Sequence, residues 1–113
     1  MSDTITFDDF LRVDLRVGRI VDARPFPEAR KPAYRLEVDF GPEIGVLRSS
    51  AQITAHYTPD SLLGRLVVGV VNFPPRQIGP MQSQCLITGF HDETGGVRLC
   101  VPDGDISPGT RLL

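Results

Sequence analysis

Apolar and polar residues alternate most regularly over residues 34–40: Tyr34, Leu36, Val38 and Phe40 fall on one side, Arg35, Glu37 and Asp39 on the other. A period of two is that of a strand with one face in the core. Residues 15–24 also alternate, and the pattern assigns Leu15, Val17, Val21 and Ala23 inward and Arg16, Gly18 and Asp22 outward, with Gly18 marking a bend. After a Gly41-Pro42 turn, Ile44 to Arg48 reads as a third short strand. The run Leu66-Val67-Val68-Gly69-Val70-Val71 is apolar without interruption, which predicts a fourth strand over 66–72 buried on both faces. Pro74 and Pro75 end it, because neither can donate to the ladder. A fifth strand is predicted over about 84–90, and a further short one from Val97 to Val101.

Two short helices interrupt the strands. Thr6 precedes Phe7-Asp8-Asp9-Phe10-Leu11 as an N-cap, with the acids at the positive end of the helix. Thr58-Pro59 is a second helix start, closed by Gly64 after barely two turns. Three strands, a helix and two strands is the order of an all-β, five-stranded OB-fold, a partly open Greek-key barrel whose helix lies between strands three and four. The short N-terminal helix and a C-terminal extension flank a barrel of residues about 14–101 within one domain, 1–113. In such a barrel, ligands meet the face of strands two and three and the loops joining strands one–two and four–five. Those loops are 25–33 and 73–82 in this chain.

At 41% hydrophobic and 23% charged, the composition is that of an ordinary globular domain. No apolar run approaches the roughly 20 residues of a membrane span, so no membrane insertion is expected. Met1-Ser2-Asp3-Thr4 lacks the cationic start of a secretory leader, and a cytoplasmic protein is expected. Cys85 and Cys100 stand in apolar surroundings without a CxxC, as buried small hydrophobes. The net charge of −2 is unevenly placed: −3 over residues 1–14, +3 over 15–80 and −2 over 81–113. Eleven of the twelve cations are arginine, the side chain suited to bidentate phosphate contact.

The basic middle supplies the candidates for nucleic-acid contact. Arg30, Lys31, Arg48 and Arg76, with Gln77, sit in loops or at strand ends where they could grip phosphates; otherwise they are solvated or pair with Glu28 and Glu43. Ser49, Ser50 and Gln52 follow at the exit of the third strand, as donors to phosphate or base edges or as turn residues. Phe73, Pro74, Pro75, Ile78 and Met81 form an apolar constellation: a surface for an extended peptide if exposed, a cover for the barrel end or a dimer seam if buried. Tyr34 and Tyr57 are aromatic candidates for base stacking, though Tyr34 keeps the apolar register of its strand. His56 and His91 have no second ligand at a regular spacing. With no HExxH, phosphate loop or GxSxG elbow, no catalytic residue, metal or cofactor is assigned.

Pro27-Glu28-Ala29-Arg30, Asp39-Phe40-Gly41, Ser49-Ser50-Ala51-Gln52-Ile53-Thr54 and Val70-Val71-Asn72-Phe73-Pro74-Pro75-Arg76 occur in an order that resembles the free-standing tRNA-binding-domain family, most nearly its CsaA branch of export-related chaperones. The resemblance runs from about Phe7 to Pro108-Gly109-Thr110. It implies an OB-fold homodimer that binds tRNA-like nucleic acid and, for this branch, unfolded or pre-secretory polypeptides. It also implies that the segments flanking the barrel contribute to the dimer. Synthetase-appended relatives typically carry Ser-Glu/Gln-Gly-Met where this chain has Ser83-Gln84-Cys85-Leu86, a departure that favours the chaperone branch and leaves Ser83 as the motif's polar contact.

Overall fold

The longest strand organises the fold. In the computed structural model, which describes residues 3–113, β1 (Leu15–Pro25) pairs antiparallel with β2 (Tyr34–Asp39) through its second half and with β4 (Leu66–Val70) through its first. β3 (Val46–Ala51) adds to β2 and β7 (Leu86–Ile87) to β4, giving the order β3-β2-β1-β4-β7. The sheet then curls until its edges meet. The Gln84 amide donates to the Arg48 carbonyl (2.7 Å), the Arg48 amide to Gln84 Oε1 (2.9 Å), and Ser49 Oγ to the Cys85 carbonyl (3.1 Å). These bonds satisfy backbone groups at the β3 edge and nearly close a five-stranded barrel of the OB type.

The interior is filled by Ile20, Leu36, Val38, Phe40, Leu62 and Val67. Phe40 lies in a slot that only glycine leaves open. A Cβ on Gly18 would stand 2.7 Å from Phe40 Cε1, and one on Gly69 2.8 Å from Phe40 Cζ. Gly18 is therefore a packing residue facing the core rather than an outward bend. As predicted, β4 is buried on both faces, with Val67 towards the barrel interior and Val68 and Val70 buried too.

Three local expectations are corrected. A bulge between Ile20 and Asp22 shifts the register of β1, so Ile20 is fully buried and Val21 is 47% exposed instead of inward. Residues 41–44 form one helical turn, α2 (Gly41–Ile44), with Pro42 in its first turn; Gly45 follows at φ +83°, and β3 starts only at Val46 and runs to Ala51. The expected fifth strand is broken: β7 ends at Ile87, and β8 (Gly89–His91) turns away to pair with β9 (Val97–Leu99). Gly89 makes that departure possible, because a Cβ there would lie 2.7 Å from the Arg98 carbonyl oxygen.

Both helices read from the sequence are present, α1 (Phe7–Leu11) and α3 (Pro59–Leu62), each closed by a reciprocal capping box. Leu62 of α3 plugs the core, whereas α1 buries no side chain. Instead α1 is tied to the barrel through polar bonds. Asn72 Nδ2 donates to the Arg12 carbonyl (2.7 Å), and the Asp14 amide donates to Asn72 Oδ1 (3.0 Å). The tail pairs with the free edge of β1: the Gly109 amide donates to the Val17 carbonyl (2.7 Å), the Val17 amide to the Thr110 carbonyl (2.9 Å) and the Leu112 amide to the Leu15 carbonyl (2.8 Å). Asp14, its carboxyl held below the usual range by a hydrogen bond from Arg16, lies between Arg16 (2.7 Å) and Arg111 (3.4 Å) and joins the two ends. Met1 and Ser2, part of the leader argument, lie outside the described residues.

Candidate nucleic-acid interface

The expected loop 73–82 is largely a hairpin, β5 (Arg76–Ile78) and β6 (Met81–Ser83), and Met81 is 1% exposed. Met81 packs with Phe26 and Ala33 at the two ends of loop 26–33, joined by Ala29 and Ile78. This small second core fixes both loops to each other, so Arg30 and Lys31 on one and Arg76 on the other share one end of the barrel. Met81 is thus interior rather than peptide surface, and Ile78 is half-buried against it.

Strand register builds the rest of the face. Arg24 of β1 is opposite Arg35 of β2, and Arg35 is opposite Ser50 of β3. The Ser50 amide donates to Ser83 Oγ (3.2 Å), and Ser83 is opposite Arg76 across the hairpin. One row therefore crosses five strands as Arg24, Arg35, Ser50, Ser83 and Arg76. Two residues away, about 7 Å along the strands, a second row holds Asp22, Glu37 and Arg48. Between them is a groove of about 270 Å³ lined by Asp22, Arg24, Arg35, Glu37 and Arg48, with the buried side chains of Leu36 and Met81 beneath.

Like charges placed directly opposite in a sheet repel, yet this face sets Arg24 against Arg35 and Asp22 against Glu37. Among the described residues, only one local pair relieves the repulsion, Arg24 with Asp22 at 2.9 Å. Arg35 is stacked over the Phe26 ring at 5.6 Å. Among the described residues, Arg30, Lys31, Arg35, Arg48 and Arg76 make no ion pair with a carboxylate. The face carries an unspent positive potential despite the chain's net charge of −2.

The remaining candidates divide. Gln52 is exposed just past β3. Ser49 is 1% exposed and spends its hydroxyl on the Cys85 carbonyl, because its position in β3 points inward; it is a closure residue, not a surface donor. Gln77 Nε2 donates to the Gly79 carbonyl of its own turn (2.8 Å), and Ser83 is half-buried at the β3 edge. Phe73 (54% exposed), Pro74 and Pro75 are on the surface at the α1 side, where Phe73 lines a second hollow of about 400 Å³ with Asp9, Arg12, Val13 and Asn72. Arg24 and Arg35 were missed in the sequence. Outward alternation marks Arg35 there, but the bulge that aligns Arg24 with it leaves no sequence signal.

Neither tyrosine presents a free ring. Tyr34 Oη donates to the Tyr57 carbonyl (2.7 Å), and Tyr57 Oη accepts from the Leu99 amide (3.0 Å). His56 does have a partner, brought by tertiary folding: Asp92 Oδ2 lies 2.7 Å from Nε2. Hydrogen bonds from Thr94 first, and from His56, draw the Asp92 carboxyl down to about 2. His91 Nδ1 meets the Gly95 carbonyl within its hairpin (3.1 Å). Both cysteines are free, Cys85 buried and Cys100 half-buried. Burial raises the Cys85 thiol to about 12. Among the described residues, no three His, Cys, Asp or Glu side chains are grouped to hold a metal ion, and no helix is long and apolar enough to cross a membrane.

A profile of the family described as a putative tRNA binding domain matches residues 15–111. The chain is similar to the methionine–tRNA ligase of Porphyromonas gingivalis, 31% identical over 112 residues, 99% of this chain and 16% of that protein. It is 42% identical over 114 residues to methionine–tRNA ligase 1 of Sorangium cellulosum, again covering 99% of this chain and 16% of the relative. The chain thus spans about one-sixth of the length of these curated relatives. Among solved structures, the chaperone CsaA of Bacillus anthracis superposes with a TM-score of 0.91 at 45% identity, over 98% of this chain and 100% of that one.

Proposed function

This chain belongs to the putative tRNA-binding-domain family, and from that premise we propose that it is a non-enzymatic RNA-binding protein that takes tRNA across the outer face of β1, β2 and β3. The observation that carries the reading is the set of cations without an ion partner among the described residues: Arg35 and Arg48 on the sheet, and Arg30, Lys31 and Arg76 on segments that a shared apolar cluster holds together. Arginines spread over a sheet and two loops suit a backbone tracked by shape and charge. The acidic ends of the chain lower the affinity without removing this local field. Because tRNA is its ligand in this reading, the protein works in the cytoplasm.

The test is tRNA binding followed by electrophoretic shift or anisotropy across a salt series. Each phosphate contact contributes about −0.9 to the slope of log K against log salt on duplex. Arg35→Ala is expected to weaken binding and make that slope shallower by about one contact. An unchanged slope and affinity would remove Arg35 from the interface.

A second reading is favoured by the exposed Phe73-Pro74-Pro75 segment beside the α1 hollow and by the likeness to chaperones named CsaA. In it, that surface binds unfolded or pre-secretory polypeptides. We also propose a homodimer, in which Phe7, Leu11 and Leu112, all exposed here, find apolar cover. Aggregation of an unfolded client that proceeds equally with and without the protein would count against the first idea, and a monomer in sedimentation against the second.

A further inference from the structure

Glu37 and Arg48 are directly opposite each other on β2 and β3, on the outer face of the sheet and in the same groove. At that spacing an acid and a base usually close on each other. Here no oxygen of Glu37 comes within ion-pair distance of Arg48, and no other ion partner occupies either among the described residues. An acceptor and a donor are thus held side by side, unspent, over the groove. Arg24 and Arg35 lie about 7 Å away, one strand repeat of two residues.

Bases in single-stranded RNA offer their Watson–Crick edges to proteins. Guanine presents two adjacent donors, N1–H and the N2 amino group, followed by the O6 acceptor. Adenine and cytosine each set an amino donor beside a ring acceptor, and uracil places one donor between two acceptors. A carboxylate takes two parallel N–H donors, and a guanidinium beside it reaches an oxygen. Every base can set one donor against Glu37 and one acceptor against Arg48, but only guanine fills both carboxylate oxygens with adjacent donors and still offers an acceptor to the guanidinium.

We propose that this groove is a guanine-selective subsite for an unpaired nucleotide: Glu37 accepts from N1–H and N2–H, Arg48 donates to O6, and Arg24 and Arg35 hold the adjoining phosphate. The proposal rests on the RNA-binding reading above and assigns the base preference within it. Glu37 is the residue that sets the preference. An acid within a phosphate-binding face weakens every RNA by repulsion, and guanine alone recovers that loss through its paired donors.

The experiment measures anisotropy of seven-nucleotide RNAs, U3-X-U3, with X as guanosine, inosine, adenosine, cytidine or uridine, beside a full tRNA. Guanosine is expected to bind roughly tenfold more tightly than uridine, the scale of one bidentate base contact. Inosine, which keeps N1–H and O6 but lacks the N2 amino group, falls between. Glu37→Gln brings all five within about twofold by tightening the other four, and its unchanged melting curve shows the fold intact. If tRNA binds and the five oligonucleotides bind alike, or if Glu37→Gln keeps the guanosine preference, the subsite assignment is overturned and the RNA reading stands. If neither tRNA nor any oligonucleotide binds, both are overturned.

Discussion

Replacing Gly18 with alanine tests the packing that lets the barrel close. The new Cβ would lie 2.6 Å from Val38 Cγ1, 2.7 Å from Phe40 Cε1 and 2.9 Å from Phe40 Cδ1. Carbon atoms in contact sit at about 3.5–4.0 Å, so three overlaps of nearly 1 Å must be relieved. Val38 and Phe40 are fully buried, and Gly69 hems in the far side of the same ring, so the ring cannot simply step aside. Overpacking costs about 1–3 kcal/mol, and three overlaps with fully buried side chains put this case at the upper end, about 2–3 kcal/mol. Alanine returns about 0.5–1 kcal/mol by stiffening the unfolded chain, which leaves a net loss of about 1–2 kcal/mol. For a domain of this size the melting temperature should fall by roughly 4–8 °C.

Phe40→Leu removes the ring atoms that meet the new methyl group. Alone it should cost about 2 kcal/mol, from three fewer buried carbons. Combined with Gly18→Ala, it should be less damaging than the sum of the two by about 1 kcal/mol or more. Urea unfolding of the wild type, both single variants and the double variant measures all four corners. A Gly18→Ala protein that melts at or above the wild-type temperature, or a double variant whose losses simply add, would refute the slot.

Asp92 predicts an acid response. Its folded carboxyl lies near 2, below the ordinary 3.8, so the stability it contributes is present above about pH 4 and is lost as pH falls towards 2. Amide exchange or chemical shifts of Gly96, which donates to Asp92 Oδ1 at 3.1 Å, should report the β8–β9 turn loosening in that window; Asp92→Asn should flatten the profile. Cys85, with its thiol near 12 and its side chain buried, should resist iodoacetamide in the folded protein and react in urea, as mass spectrometry of the labelled peptide can show.

The elements with a strong local signal were legible in the sequence. β2 follows its alternation, β4 its unbroken apolar run, and both capped helices their Thr6 and Thr58 signals. What the sequence hid was set by long-range contact. The bulge at Val21 falls just past the point where β1 leaves its β4 partner, and no residue type announces it. Ser49 has the composition of a turn and became a buried closure residue only because the 83–85 segment arrives against β3. The same limit applies to the candidate face. Arg30, Lys31, Arg48 and Arg76 could be named from loop position, but the Arg24–Arg35 row depends on register, and the His56–Asp92 pair joins residues that share no local pattern.

The pairing of residues 109–112 with β1 bears on how the molecule is made. A nascent chain can assemble β1, β2 and β3 early, since these are neighbours in sequence. Yet Leu15 and Val17 keep unpaired backbone groups on one side until residues 109–112 have been synthesised. During that interval the barrel exposes an open strand edge, the feature through which sheets join the wrong partner. Residues 109–112 thus form a late closing strand, and any folding intermediate that precedes their docking carries an edge open to association.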